Sequence, residues 1–153
     1  MIFRPMLMAD LDKVVAIEKV SMPSPWSKEL FEEELKRSQA NYFVIEEDGT
    51  LAGYVGYWEA PEEAHIITVA VAPTFRKRGL GKRMMDHFLA YAAQKGARLA
   101  TLEVREGNEA GRRLYEKCGF RMVAIRKKYY SDNQEDAVVM LKDILEEQAP
   151  PFG

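Results

Sequence analysis

Residues 64–83 run without a break from a β-branched, uncharged segment, "AHIITVAVAP", into a basic turn, "TFRKRGLGKR", and apolar positions then recur at Leu80, Met84, Phe88 and Tyr91. A strand stopped by Pro73 and followed at once by a long helix is expected here, with the basic, glycine-containing segment at the helix N-terminus. Lys95 and Gly96 supply the basic last turn and the glycine stop of that helix. Within the turn, Arg76, Lys77, Arg78, Lys82 and Arg83 surround Gly79 and Gly81 in a chain whose formal net charge is only −2. Unpaired N–H groups at a helix start, the positive end of its dipole and nearby cations favour a phosphate-bearing ligand, and the glycines let it approach the backbone. A solvated basic turn is the alternative reading of the same residues.

The flanking segments supply the rest of the sheet and its cover. A short strand is expected near Ile2 to Arg4, followed by a helix in "ADLDKVVAIEKV" with Leu11, Val14 and Val15 inward. "SPWSKELFEEELKRS" starts a second helix, with Ser27 as N-cap and Leu30, Phe31 and Leu35 as candidate core. "NYFVIEEDGTLAGYVGYWEA" reads as two strands joined at Asp48-Gly49, a dipeptide suited to the positive φ angles of a hairpin turn.

Length and composition limit the classes of function. The 153 residues fit one domain, and 47% hydrophobic with 30% charged residues is the make-up of a soluble globule. "MIFRPMLMAD" lacks the apolar stretch of a signal peptide, and the longest uncharged run, Ala64 to Phe75, is too short to span a bilayer, so a cytoplasmic protein without a membrane partner is expected. Cys118 is the single cysteine, and His65 and His87 stand apart without a carboxylate cluster, so neither a disulfide nor a metal is expected. The balanced charge speaks against nucleic acid as a partner.

Several phosphate-reading motifs fail on specific residues. A P-loop needs glycine at 76 and Ser or Thr at 83, where Arg76 and Arg83 stand, and a dinucleotide fingerprint needs glycine where Met84 stands. An RNA-recognition motif needs aromatics where Leu80 and Lys82 stand.

Downstream, "LATLEV" places Leu99, Thr101 and Glu103 on one strand face and Ala100, Leu102 and Val104 on the other. Glu103 is then either an exposed strand-end carboxylate or an internal one whose pKa burial raises toward the range of a general base. Asn108 caps the following helix and Gly119 closes it, with Phe120 packing back. Tyr115 on that helix is either a half-buried structural aromatic or a phenol able to give its proton to a departing thiolate. Cys118 reads as packing rather than as a nucleophile.

Arg76-Lys77-Arg78-Gly79-Leu80-Gly81 after "VAVAP" resembles the R-x-x-G-x-G pyrophosphate loop of the GNAT acetyltransferases, and "NEAGRRLYEKCGF" is similar to that family's N-x-x-A-x-x-x-Y-x-x-x-G-F pattern, with Gly111 replacing the alanine. That replacement is expected to cost helix propensity only. The resemblance covers nearly the whole chain. It implies an α/β fold with a mixed (α+β) sheet, one GNAT domain over residues 1–145 in the order β-α-α-β-β-β-α-β-α-β-β, and a flexible tail over 146–153. It further implies acetyl-CoA as cosubstrate: the backbone of Val69, Ala70 and Val71 would hold the pantetheine arm, N–H groups of Lys77, Arg78, Gly79, Leu80, Gly81 and Lys82 the pyrophosphate, and Asn108 would add to that site.

"PWS" at Pro25 to Ser27, "LEVR" at Leu102 to Arg105 and "RKKYYSDNQEDAVVM" near the end resemble the ribosomal-protein-alanine acetyltransferases within that family. By this resemblance Glu103 is the general base, Tyr115 the general acid, and the acceptor the N-terminal alanine of small-subunit ribosomal protein eighteen. Trp26, Tyr129 and Tyr130 are candidate walls of a peptide groove. Glu32, Glu33, Glu34, Glu135 and Asp136 are either attractors of a basic peptide or merely solvated charges. A small-amine acetyltransferase, acting on a polyamine or an antibiotic, and a non-catalytic CoA-binding module are the competing readings.

Overall fold

The computed structural model describes residues 1–144; the expected tail, 146–153, and the last residue of the expected domain, 145, lie outside the described residues. Seven strands and four α-helices follow in the expected order: β1 (Ile2–Pro5), α1 (Leu11–Ser21), α2 (Lys28–Leu35), β2 (Ala40–Glu47), β3 (Thr50–Ala60), β4 (Glu63–Val71), α3 (Leu80–Gln94), β5 (Leu99–Arg105), α4 (Glu109–Lys117), β6 (Arg121–Arg126) and β7 (Ala137–Asp143). They form one sheet in the order β1-β2-β3-β4-β5-β7-β6. Among the described strands only β4 and β5 run parallel; α3 is the crossover between them. No described helix is long and apolar enough to cross a membrane.

Local signals account for the element ends. Asp48 and Gly49 take φ 53° and 77° at the β2–β3 turn. Ser27 Oγ accepts from Leu30 N–H at 3.2 Å and starts α2. Gly119, at φ 95°, ends α4, and Phe120 N–H returns to the Tyr115 carbonyl at 2.9 Å.

Helices cover both faces of the sheet, so β3 is buried from Leu51 to Tyr57. On one face Leu80, Met84, Phe88 and Leu89 of α3 pack on Val55, Tyr57, Ala100 and Leu102. On the other, Leu11, Val14 and Phe31 of α1 and α2 pack on Tyr42, Val44 and Tyr54. One of the acidic residues expected as either attractor or solvated charge is neither: Glu34 is 4% exposed and accepts from Tyr42 Oη at 2.6 Å, Trp58 Nε1 at 2.8 Å and Arg37 Nε at 2.8 Å. Its helical phase puts it on the same face as Phe31, where those three donors meet the cost of burying a charge.

The feature that positions the site is a split between β4 and β5. Their pairing covers only Glu63, Ala64 and His65 against Leu99, Ala100 and Thr101. Just beyond, Gly56 pairs with Thr68 but Tyr57 pairs with Ile66, which leaves Ile67 as an extra residue in β4. This bulge bends the strand and exchanges its faces, so Ala64 and Ile66 pack toward α3 before it, and Val69 and Val71 do so after it. Beyond His65 the β5-side edge of β4 has no strand partner among the described residues.

Candidate active site

The split opens a cleft of about 350 Å³. Ile66 to Val69 of β4 form one wall and Leu102 to Arg105 of β5 the other, while the α1–α2 loop and α4 contribute Trp26, Asn108 and Tyr115.

At the end of the β4 wall lies the basic turn. Lys77 and Gly79 both adopt left-handed backbone, φ 63° and 75°, immediately before Leu80 opens α3. Gly79 has no side chain to cap the helix, a Cβ there would meet nothing within 4 Å, and no side chain caps the first N–H groups of α3. Gly81 has a different reason to be glycine: a Cβ would stand 3.3 Å from Leu114 Cδ2, where α4 packs against the start of α3. The cationic side chains are partly engaged within the fold. Arg76 donates from Nε to the Val71 carbonyl at 2.9 Å and from Nη2 to Ser21 Oγ at 3.0 Å, Arg78 lies 5.2 Å from the Phe75 ring centre, and Lys82 pairs with Asp86 at 3.0 Å. An anion at this turn would therefore meet chiefly backbone N–H groups, an arrangement suited to a pyrophosphate.

Across the split, Glu103 projects from β5 on the face that alternation indicates. Its Oε2 is 2.7 Å from His65 Nε2, and Arg126 Nε approaches Oε1 at 3.8 Å. Of the two readings the sequence leaves open, an exposed strand-end carboxylate and an internal one raised by burial, the second is corrected in its direction: the His65 hydrogen bond outweighs desolvation and holds Glu103 below its ordinary range, while His65 is pushed up by the same bond. His65 was weighed in the sequence only as a metal ligand, and its approach to Glu103 depends on a β4–β5 register that no local signal reveals. Tyr115 is half-buried and keeps surface on the cleft, and desolvation raises its phenol above the usual tyrosine range, so the hydroxyl stays protonated.

Asn108 borders the cleft as the N-cap of α4, its Oδ1 accepting from Gly111 N–H at 2.9 Å. A Cβ on Gly111 would sit 2.7 Å from Asn108 Nδ2, so Gly111 lets the cap fold inward, a role beyond the expected loss of helix propensity.

Of the expected acceptor walls, Trp26 and Tyr130 border the cleft. Tyr129 does not; it is 48% exposed and meets Tyr130 edge-on at 5.1 Å. Ala70 packs toward α1 and α2, with its side chain away from the cleft. Arg105 organises the β6–β7 loop, with Nη1 and Nη2 on the Asp132 carboxylate at 3.0 and 2.9 Å and its guanidinium 4.0 Å from the Tyr130 ring centre. Asp132 also accepts from Ser24 Oγ at 2.9 Å, which joins that loop to the α1–α2 loop. Glu135 and Asp136 are engaged locally, on Gly107 N–H at 2.7 Å and Lys128 N–H at 2.9 Å.

A split parallel pair beside an uncapped helix start offers an extended backbone edge and a set of N–H donors suited to an anion, with a carboxylate and a phenol on the same cleft. Such an arrangement suits a transferase that takes an acyl group from a nucleotide thioester. The model described as the acetyltransferase (GNAT) family matches residues 11–120, and the chain belongs to that family. It is 42% identical, over 90% of this chain and 91% of the other, to a Bacillus subtilis protein provisionally named a ribosomal protein bS18-alanine N-acetyltransferase. The Escherichia coli enzyme of that name is 32% identical over 86% of this chain and 89% of its own. The crystal structure of the E. coli enzyme superposes with a TM-score of 0.85 at 29% identity, covering 94% of this chain and 93% of that one. A chimeric Vibrio cholerae spermidine N-acetyltransferase, 20% identical with a TM-score of 0.86 over 97% and 98% of the two chains, shares the fold.

Proposed function

We propose that this acetyltransferase acts on the α-amine of a protein N-terminus, in the first place the N-terminal alanine of small-subunit ribosomal protein eighteen, in the cytoplasm where that protein is made. The observation that carries the mechanism is the placing of Glu103 and Tyr115 on one cleft, beside the unpaired edge of β4. The acceptor class rests on the names of the relatives and on the cleft wall formed by Trp26 and Tyr130.

Bound acetyl-CoA supplies an electrophilic thioester carbonyl. The N–H groups of Lys77 to Lys82 hold its pyrophosphate, the backbone of Val69 to Val71 pairs with its pantetheine arm, and Asn108 lies alongside. The acceptor arrives as an ammonium, with a reference pKa of about 8, and must lose a proton before it can attack. Glu103 takes that proton, directly or through a water, and His65, 2.7 Å away, passes it toward solvent when its imidazole is neutral. A backbone N–H on β4 stabilises the developing oxyanion, and the Tyr115 hydroxyl protonates the departing sulfur.

The test is thiol release from acetyl-CoA with a basic peptide beginning in alanine, beside the same peptide with a blocked N-terminus and beside spermidine. Turnover confined to the free peptide is expected. Turnover with spermidine alone would return the acceptor to the small-amine class.

A further inference from the structure

Three charged side chains border the cleft: Glu18, Glu103 and Arg105. Two of them are answered. Arg105 faces Asp132 at 2.9 Å and Glu135 at 3.4 Å, and Glu103 faces His65 at 2.7 Å and Arg126 at 3.8 Å. Glu18 is different. It sits in the last turns of α1 at 2% exposure and forms no ion pair with any described residue. Its Oε1 accepts from the Tyr54 hydroxyl and its Oε2 from Trp26 N–H at 3.0 Å, and both donors are neutral. Tyr54 remains neutral because burial and the adjacent Glu18 charge raise its phenol far above the usual range.

A carboxylate offers about four lone-pair directions, and these two donors use two of them. The fold thus holds a buried, oriented carboxylate beside the space that the acceptor must enter, with capacity to accept from a further donor. The acceptor brings a donor of matching charge, since an amine with a reference pKa of about 8 is mainly ammonium at neutral pH.

We infer that Glu18 is the receptor for the acceptor's ammonium, drawing the protonated amine into the cleft before Glu103 removes its proton. The inference rests on the peptide-acceptor reading above and adds to it the charge state in which the acceptor binds. A second consequence follows from its partners: because Glu18 also holds Trp26 N–H, the charge that recognises the amine is fixed to the loop that forms the acceptor wall.

The experiment compares two unreactive competitors of one basic peptide sequence: one whose N-terminal amine is dimethylated and stays cationic, and one whose first residue is the des-amino, neutral isostere. Inhibition constants against the free peptide are measured for the wild type and for Glu18→Gln, which can keep a bond to both Tyr54 and Trp26 while losing the charge. The wild type should prefer the cationic competitor by about tenfold, and Glu18→Gln should lose that preference with acetyl-CoA affinity within about twofold of wild type. An undiminished preference in Glu18→Gln, or no preference in the wild type, overturns the inference. The wild-type ratio stands as a test on its own should Glu18→Gln fail to fold. Failure of both competitors and of the free peptide to bind the wild type would instead overturn the peptide-acceptor reading, and the inference with it.

Discussion

His65 Nε2 and Glu103 Oε2 lie 2.7 Å apart at the point where β4 and β5 part. His65 pairs in register with Thr101, and two residues further on β5, on the same face, Glu103 reaches back to the ring. The contact lowers Glu103 and raises His65, so an imidazolium–carboxylate pair forms readily while His65 is protonated. In that state Glu103 is a weak base. Once His65 loses its proton, the carboxylate regains basicity and has a neutral imidazole beside it to receive a proton.

Turnover should therefore fall as pH drops through the raised His65 value, which lies above the ordinary imidazole value of 6.5. In His65→Gln this step in the pH profile of kcat at saturating acceptor should vanish, leaving a limb in the carboxylate range. Glu103→Gln should lower kcat by about a hundredfold or more at every pH. An unchanged pH profile in His65→Gln would show that the imidazole only buttresses the strand pair.

The same pair gives stability a pH dependence of definite sign. A raised His65 stabilises fully below the ordinary 6.5 and ceases to do so as pH rises through its folded value; a lowered Glu103 stabilises above the ordinary 4.5 and ceases to as pH falls through its folded value. The contribution is thus full between those two values. His65→Gln should show its largest loss of Tm against wild type near pH 5.5, and a smaller loss near pH 9, by thermal melts at about those pH values. Both side chains retain solvent contact, 32% and 15%, so salt should shrink the difference.

Tyr115→Phe should keep the ring packing, including the 6.1 Å edge contact with Phe120, and remove only the hydroxyl. A drop in kcat of about a hundredfold with little change in acetyl-CoA affinity is expected, because a proton donor to the departing sulfur acts in the transition state. A leaving group of lower pKa should narrow the gap between mutant and wild type. Equal loss for good and poor leaving groups would remove Tyr115 from the acid role.

What could be seen in the residues alone divides along the range of the interactions. Ser27, Asp48-Gly49, Asn108 and Gly119 act on neighbours within a few positions, and their caps and turns stand where the sequence puts them. The alternation of "LATLEV" likewise carried Glu103 to the correct face of β5. The bulge at Ile67 was hidden, because it is a misfit between two strands rather than a property of either. His65 was missed for the same reason, since its partner is 38 positions away and its nearness depends on a short stretch of parallel pairing. Glu34 looked solvated within "FEEELKR" because the three donors that satisfy it come from Arg37, from β2 and from β3. Tyr129 and Tyr130 are adjacent, yet only Tyr130 stacks on Arg105 and reaches the cleft.

The Tyr42 ring covers Gly56 on the neighbouring strand so closely that a Cβ there would lie 2.2 Å from Cε2 and 2.4 Å from Cδ2. The ring has little room to yield, for its hydroxyl donates to Glu34 at 2.6 Å and its edge packs at 6.5 Å from the Phe31 ring centre. Gly56 also borders the bulge that bends β4 away from β5. Gly56→Ala should therefore destabilise by about 2–4 kcal/mol, more than a surface glycine substitution, measured by denaturant unfolding. Because the strain is between two side chains, Tyr42→Leu should relieve part of it, and the double mutant should be more stable than the sum of the single losses implies. In the surviving folded fraction kcat should fall as well, since displacing β3 at Gly56 shifts Thr68 and the β4 wall of the cleft. Strict additivity of the two substitutions would place the damage in the glycine's backbone rather than under the ring.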